Sequence, residues 1–201
     1  MDASGYHRPD TLEYTQDPEA NQLIAQDPVA FVIGWILDQQ VTVQTAFLGP
    51  LKLRQRIGAY DAASIAAMPE DELVAAFHET PAIHRYSRAM AIRVRTCMQY
   101  LVDEHGGDPE RVWLDAADYA DLRKRLVKLP GFGKPKATSV CAVLARRFGL
   151  PITGFEADLM PYGSLSDVVE YQDLLDYQER KGVYKQAARA AAAGAAASAT
   201  P

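Results

Sequence analysis

Apolar residues recur at helical spacing along most of the chain, and no segment shows the strict alternation of a half-buried strand. The pattern is strongest from Ala30 to Leu37, where the predicted helix is apolar on nearly every side. A helix of this kind belongs in the centre of a core. Asp27 and Pro28 mark its start, because aspartate caps a helix and proline suits the first helical position. The pattern therefore predicts an all-α protein of about nine or ten helices.

Further helices are predicted by the same spacing and by local capping residues. They begin near Asn21, Thr42, Asp61, Pro69, Ser87, Tyr119, Lys136 and Ser166. Residues 1–19 are polar and show no periodicity, which predicts a flexible N-terminal arm. Residues 186–201 are nearly all alanine, and this tail either extends the last helix or is disordered.

The connection between two of these helices contains two glycines separated by one residue, Gly131 and Gly133. Glycine adopts positive φ at little cost, so we expect a tight turn here. Pro135 suits the first turn of the next helix, whose first amides point outward and attract anions. Lys134 and Lys136 flank these amides. The segment predicts a phosphate clamp, and the alternative is a simple tight connection between two helices.

Two glutamines, Gln39 and Gln40, follow the apolar helix almost directly. Polar side chains at the end of a buried segment have two common uses. They hydrogen-bond to nearby backbone and cap the helix, or they serve a binding site. The sequence alone leaves both uses open.

Charge is unevenly distributed along the chain. The net charge of −5 argues against the basic footprint typical of a nucleic-acid partner. Between residues 121 and 147, however, eight lysines and arginines stand against one aspartate. A second basic cluster consists of His84, Arg85, Arg88, Arg93 and Arg95. Each cluster is either a solvated helix face or part of a surface for an anionic partner.

The cysteine count excludes several classes of protein. Cys97 and Cys141 are too few for a disulfide framework, a zinc site or an iron–sulfur cluster. No apolar leader is seen at the N-terminus, and residues 30–37 form the longest apolar run, which is too short to span a membrane. We therefore expect an intracellular protein without a metal cofactor.

The glycine turn and its flanking helices resemble the helix-hairpin-helix (HhH-GPD) superfamily of base-excision DNA glycosylases, the endonuclease III-like group. The resemblance includes AFVIGWILDQQVT at residues 30–42 and the segments at residues 81–86 and 90–94, and it extends from about Leu23 to Asp158. It implies a two-lobed helical DNA glycosylase-like domain over residues 20–185. The lobe that carries the hairpin is expected at about residues 82–149.

The resemblance also implies roles for particular residues in a DNA interface. The backbone around Gly131, Gly133 and Ala137 is expected to hold a phosphate, with Lys134 and Lys136 beside it. Gln40 is expected to fill the gap that a flipped nucleotide leaves in the duplex. Members of the family that also cleave the DNA strand form a Schiff base through a lysine two positions after the second glycine. That position holds Pro135 here, so the resemblance implies a monofunctional glycosylase without lyase activity.

The essential carboxylate of the family follows the hairpin after a Phe-Gly-x-Pro loop, which is residues 148–151 here. Counting from this loop places Glu156 at the catalytic position, with Asp158 two residues later. Such a carboxylate stabilises the oxocarbenium-like sugar and orients water. The alternative is that either residue only caps the next helix. Trp35 and Tyr86 are expected to form walls of the base pocket, and the alternative for both is a place in the core.

The expected partner is double-stranded DNA that contains a damaged base. The resemblance implies a cytoplasmic, nucleoid-associated monomer, with no iron–sulfur cluster and with room for a monovalent cation at the hairpin. Two other functions remain open. One is a catalytically inactive DNA-binding protein of the same fold that recognises damaged or distorted duplex, and the other is a protein–protein adaptor.

Overall fold

The computed structural model describes residues 4–198, with side chains described through residue 193. Over this range the protein is all-α, as the sequence predicts, with ten α-helices and no strand. The helices are α1 (Pro18–Gln26), α2 (Pro28–Leu37), α3 (Val43–Arg56), α4 (Ala62–Ala67), α5 (Glu70–His78), α6 (Ser87–His105), α7 (Glu110–Leu114), α8 (Tyr119–Lys128), α9 (Lys134–Arg147) and α10 (Tyr171–Ser198). Two 3₁₀ turns, Phe155–Asp158 and Leu165–Asp167, lie between α9 and α10.

Local capping explains why several helices begin where the sequence predicts. The Asp27 carboxylate accepts from the amides of Val29 and Ala30 at the start of α2. The hydroxyl of Thr42 and the carboxylate of Asp61 cap α3 and α4 in the same way. Each cap satisfies amides that a helix leaves without an intrahelical partner.

Helix α2 lies in the centre of one group of helices. Residues 29–37 are all buried, and α2 packs against α1, α3 and α6. Gly34 permits the close approach of α3, because a Cβ atom there would lie 2.5 Å from the ring of Phe47. Helix α2 is apolar on every side because it packs against three neighbouring helices.

The remaining helices make two further sets of contacts, one around α6 and one around α9. Helices α4 and α5 both pack along α6, and α8 packs against α9. The second 3₁₀ turn packs against α9.

Residues 4–17 are not a loose arm, which corrects the sequence-based expectation. Leu12 and Tyr14 are fully buried, and the Tyr14 hydroxyl donates to the Leu165 carbonyl at 3.0 Å. The ring of Tyr6 stacks on Phe148 at the end of α9. The segment has no helical period because its backbone is irregular, and a few irregularly spaced side chains anchor it to the core. We call residues 4–17 the N-terminal strap, or the strap.

The strap also joins elements that are far apart in the sequence. The Arg8 guanidinium donates twice to Glu110 at the start of α7, at 2.8 and 2.7 Å. Its third contact is with the backbone carbonyl of Gln26 at the end of α1, at 2.9 Å. Arg8 therefore connects the end of α1 to the start of α7.

The sequence predicts an N-terminal arm and an alanine-rich tail at the two ends of the chain. The tail extends α10 as a continuous helix as far as Ser198. Residues 1–3 and 199–201 lie outside the described range. None of the described helices is both long enough and apolar enough to cross a membrane.

If the strap is part of the core, Tyr14→Ala should lower the free energy of unfolding by about 3–5 kcal/mol, as for other buried aromatic truncations. The matched control is Tyr184→Ala on α10, whose side chain is 38% exposed, and it should cost about 1 kcal/mol or less. Denaturant unfolding followed by circular dichroism measures both. Equal effects of the two substitutions would show that residues 4–17 contribute little to the core.

Candidate nucleic-acid interface

The turn between α8 and α9 is closed by a hydrogen bond from the Phe132 amide to the Leu129 carbonyl at 3.0 Å. Within it Gly131 has φ +97°, a conformation that side chains rarely adopt. A Cβ atom at Gly131 would also lie 3.0 Å from Cδ of Arg93 on α6. Both the backbone conformation and the available space therefore require glycine at this position.

Gly133 has a different role from the one we expected. Its φ is −95° and its ψ is 169°, which any residue can adopt. An added Cβ atom would meet only Cδ of Pro135, at 3.9 Å. The expectation of positive φ is thus correct for Gly131 and wrong for Gly133, whose small size leaves open space at the start of α9.

The start of α9 presents free backbone donors. The amides of Gly133, Lys134 and Lys136 donate to no acceptor among the described residues, and no side chain caps the helix. Such amides, together with the positive end of the helix dipole, attract anions. The Ala137 amide is not one of them, because it donates to the Gly133 carbonyl at 3.0 Å and Ala137 is fully buried. Ala137 is therefore removed from the expected phosphate contacts.

The side chain of Lys136 turns into the protein instead of towards a phosphate. Its ammonium group donates to the backbone carbonyl of Trp35 and lies 5.6 Å from the ring centroid of Phe132. Burial lowers the pKa of Lys136 to about 8, and the nearby carboxylate of Asp38 acts in the opposite direction. The expectation that this ammonium group contacts DNA is wrong for this structure. Lys136 instead joins the hairpin to the C-terminal end of α2.

The two glutamines after α2 have different environments. Gln39 is a structural residue: its side chain donates to the Ile36 carbonyl at 2.6 Å and accepts from Nη1 of Arg93 at 2.6 Å. Gln40 is exposed and has φ +58°, the only positive φ among the non-glycine residues of the described range. The side chain of Gln40 is therefore presented to solvent on a sharp bend in the backbone.

Arg93 brings this bend next to the hairpin. Its guanidinium bonds to Gln39, and its aliphatic stem lies against the position where a Gly131 side chain would be. Residues about 90 positions apart in the sequence, Gln39 and Gly131, thus lie against one arginine, and Gln40 directly follows Gln39. The sequence placed Arg93 in a basic cluster but gave no sign of this bridging role.

Tyr86 completes the surface around Gln40. Its ring is 40% exposed, its hydroxyl donates to Oε1 of Gln40 at 3.3 Å, and the Arg85 guanidinium lies 4.7 Å from the ring centroid. Trp35, the other expected pocket wall, is only 2% exposed and packs between Phe31 and Phe47. Trp35 is therefore a core residue, and only Tyr86 is accessible to a ligand.

A buried histidine holds the Gln40 bend and Tyr86 together. Nδ1 of His84 accepts from the Tyr86 amide at 3.0 Å, so the proton of the neutral ring lies on Nε2, which donates to the Gln39 carbonyl at 3.0 Å. Burial lowers the pKa of His84, which favours this neutral form. The arrangement is therefore complete when the histidine is uncharged.

The two candidate carboxylates also differ. Glu156 is exposed, and its side chain accepts from the Gly154 amide at 2.9 Å, so it caps its own 3₁₀ turn. Asp158 accepts from the Tyr119 hydroxyl at 2.6 Å and lies 3.7 Å from Nη1 of Arg123. Burial and the bond to Asp158 raise the pKa of Tyr119 to about 12, so the hydroxyl remains a donor at neutral pH. No sequence pattern pointed to Tyr119.

Asp158 opens onto a groove of about 530 Å³ that runs along α8 beside the hairpin. We call this the α8 groove, and its lining includes Tyr119, Arg123, Lys124, Val127, Lys128, Lys134 and Asp158. Of the expected site residues, the structure therefore brings Lys134 together with Asp158, and Gln40 together with Tyr86. Glu156, Lys136, Trp35 and Ala137 belong to neither surface.

Comparisons with known proteins do not assign a family. A scan against protein-family models and a search of curated proteins both found no match for this chain. Within the described residues, no group of three or more histidine, cysteine, aspartate or glutamate side chains is placed to hold a metal ion.

The two hairpin glycines should respond differently to the same substitution. Gly131→Ala should lower the free energy of unfolding by about 2 kcal/mol, because the added methyl group meets both an unfavourable φ and Arg93. Gly133→Ala should change it by less than about 0.5–1 kcal/mol, and in either direction. Urea unfolding of both variants measures the difference. A Gly133→Ala variant as unstable as Gly131→Ala would contradict the geometry of the turn.

Lys136 should give the protein a specific dependence on pH. Below about pH 8 its ammonium is charged in both the folded and the unfolded protein. As the pH rises from 8 towards the model-peptide pKa of 10.5, the folded protein loses the proton first, so the free energy of unfolding increases. Between pH 8 and 10 the free energy of unfolding of the wild type should therefore rise by roughly 1–2 kcal/mol more than that of Lys136→Met.

The exposed Lys134 provides the control for this measurement. Unfolding of the wild type, Lys136→Met and Lys134→Met is followed at several pH values between 7 and 10. Loss of the contact with the Trp35 carbonyl lowers the free energy of unfolding of Lys136→Met by the same amount at every pH, so it does not affect how that free energy changes with pH. The slope of the free energy of unfolding against pH is compared with that of the wild type for each variant. If Lys136→Met and Lys134→Met change this slope equally, the buried placement of Lys136 is wrong.

Proposed function

We propose that this protein binds duplex DNA and acts in base-excision repair as a monofunctional DNA glycosylase of the helix-hairpin-helix kind. The observation that carries the proposal is the position of Arg93, which bonds to Gln39 directly before the exposed Gln40 and lies against Gly131, two residues before the first free amide of the hairpin. A phosphate on the amides would hold one strand, and a side chain projecting beside that strand reaches into the duplex.

The chemistry of Gln40 and Tyr86 suits contact with bases. Glutamine has both donor and acceptor atoms, so it can pair with the base that loses its partner when a nucleotide is flipped. An exposed tyrosine ring stacks on any base, and such stacking contributes about 1–3 kcal/mol per base in other proteins. The hydrogen bond between the two side chains keeps them on one surface.

Asp158 is the better supported of the two candidate carboxylates. It faces a groove that is open to solvent, the Tyr119 hydroxyl donates a hydrogen bond to it, and the Arg123 guanidinium forms an ion pair with it at 3.7 Å. In the proposed reaction the bond from the sugar C1′ to the base breaks, and the departing base takes a proton. A water oxygen adds to C1′ and releases its proton to solvent, while the carboxylate stabilises the positive charge on the sugar.

The absence of a lysine at the Schiff-base position of the hairpin supports hydrolysis without strand cleavage. Pro135 occupies the expected Schiff-base position, and the Lys136 ammonium is bonded to the Trp35 carbonyl. Schiff-base formation needs an accessible, uncharged amine. An abasic site in an intact strand is therefore the expected product.

A second candidate function is recognition of damaged duplex without catalysis. It is favoured by the environment of Asp158, whose Oδ2 atom already contacts both Tyr119 and Arg123. A carboxylate engaged in this way can be a structural anchor for the first 3₁₀ turn. The same DNA-binding surface would serve either function.

One experiment tests the proposal with a panel of duplexes, each containing one modified base. Base release is scored as alkali-labile sites, and binding is measured by fluorescence anisotropy at several salt concentrations. We expect base release from at least one duplex, with Asp158→Asn reducing it by roughly 10²-fold or more, by analogy with the loss of other charge-stabilising groups. Glu156→Gln is the matched control and should retain activity close to that of the wild type.

The other outcomes are equally informative. Salt-dependent binding of damaged duplex without base release from any substrate supports the second candidate. Loss of activity in Glu156→Gln but not in Asp158→Asn reverses the assignment of the carboxylates. If no duplex binds with an affinity that falls as salt rises, the DNA-binding proposal itself is wrong.

A further inference from the structure

The lysines of the α8 groove are an unusual feature of a protein whose net charge is −5. Lys124, Lys128 and Lys134 have no carboxylate within 4.0 Å among the side chains that the structure describes. The arginines of α8 are paired, since Arg125 contacts Asp121 at 2.9 Å and Arg123 contacts Asp158 at 3.7 Å. Three unpaired like charges around one groove repel each other, and an anionic ligand would relieve this repulsion.

The three lysines form a row that starts at the hairpin. Lys134 is the first residue of α9, and Lys128 is the last residue of α8. Lys124 lies one helical turn before Lys128, about 6 Å away along the axis. The row therefore leads away from the free amides of the hairpin and along α8.

The far end of the groove differs from its lysine-lined side. Asp158 and Tyr119 lie there, joined by their 2.6 Å hydrogen bond. Val127, which is 37% exposed, forms an apolar patch on the same wall of α8. Lysines bind phosphates, and an apolar wall suits sugar and base faces, whereas a carboxylate repels a phosphate. The groove thus has chemistry for a polymer with charged and apolar parts.

We propose that the α8 groove binds the backbone of the DNA strand beyond the phosphate at the hairpin, and that it guides this strand towards Asp158. The inference rests on the proposed function and adds a surface that the hairpin motif does not include. A strand suits the groove better than a free nucleotide, because the lysine row continues from the hairpin along α8. Adjacent phosphates of one strand lie about 3.4 Å apart along the duplex axis, so the row can reach more than one of them.

The test compares two double variants that remove the same charge. Lys124→Gln with Lys128→Gln removes the i, i+4 pair of the groove, and Lys181→Gln with Lys185→Gln removes an i, i+4 pair on α10. Binding of a damaged duplex to the full chain is measured by anisotropy over a range of salt concentrations. Each phosphate contact contributes about 0.9 to the slope of log K against log salt.

We expect Lys124→Gln with Lys128→Gln, the groove variant, to reduce the slope of log K against log salt by about 2. Lys181→Gln with Lys185→Gln, the α10 variant, should leave this slope nearly unchanged. A third variant, Lys124→Arg with Lys128→Arg, keeps the charge and should restore the wild-type slope. Circular dichroism confirms that each variant is folded. If the groove and α10 variants have equal slopes while the wild type binds DNA, the inference about the groove is wrong and the proposed function stands. If the wild type shows no salt-dependent binding, the proposed function fails as well.

A competition experiment distinguishes the strand from a free phosphate source. Inorganic phosphate and a deoxynucleoside monophosphate are each titrated at constant ionic strength. Neither should bind the groove measurably at concentrations where the duplex is saturated. Saturable binding of the mononucleotide that is lost in the groove variant would overturn the assignment to a strand, and would identify a nucleotide site instead.

Discussion

The C-terminal carbonyls of α2 impose the constraint on which the arrangement of this molecule depends. The last carbonyls of a helix have no intrahelical donor, and α2 ends in the core, where water cannot satisfy them. The Trp35 carbonyl accepts from Lys136, and the Ile36 carbonyl accepts from the Gln39 side chain. One donor comes from the hairpin and the other from the bend after α2. The end of a buried helix thereby fixes two surface loops relative to each other.

This constraint explains why Lys136 is turned inward while Lys134 is not. The two residues are about 200° apart around α9, so only one of them can face α2. A cation is favourable at the C-terminal end of a helix, and this partly offsets the cost of burying the ammonium group. With Lys136 used in this way, the positive charge on the outer side of the hairpin comes from Lys134 and from α8.

Features that depend on neighbouring residues were predictable from the sequence, and those that depend on distant contacts were not. Asp27 and Thr42 cap the helices that their positions predict, because capping involves only the next few residues. Lys134 and Lys136 could not be told apart, since the Trp35 carbonyl that separates their roles lies about 100 residues away. Tyr14 is buried for the same reason: its partner, Leu165, is 151 positions further on.

The candidate site shows the same division. From the residues alone the uses of Gln39 and Gln40 stayed open, whereas the family resemblance singled out Gln40 and placed Glu156 at the catalytic position, with Asp158 two residues later. In each pair the structure engages one residue in local hydrogen bonds to backbone and leaves the other facing an open surface. A difference of one or two positions changes the direction of a side chain, and only the packed fold decides which direction is inward.

Local charge describes the surface around the hairpin better than net charge does. At physiological ionic strength the screening length is about 8 Å, so exposed charges further away contribute little to the field at the α8 groove. The acidic residues that make the net charge negative include Asp61 at the N-cap of α4 and Glu70 at the start of α5, and Asp121 is neutralised by Arg125. Asp158 is the one acidic residue lining the groove, and Arg123 partly neutralises it. A polyanion that approaches the hairpin therefore encounters a basic surface, although the whole molecule is acidic.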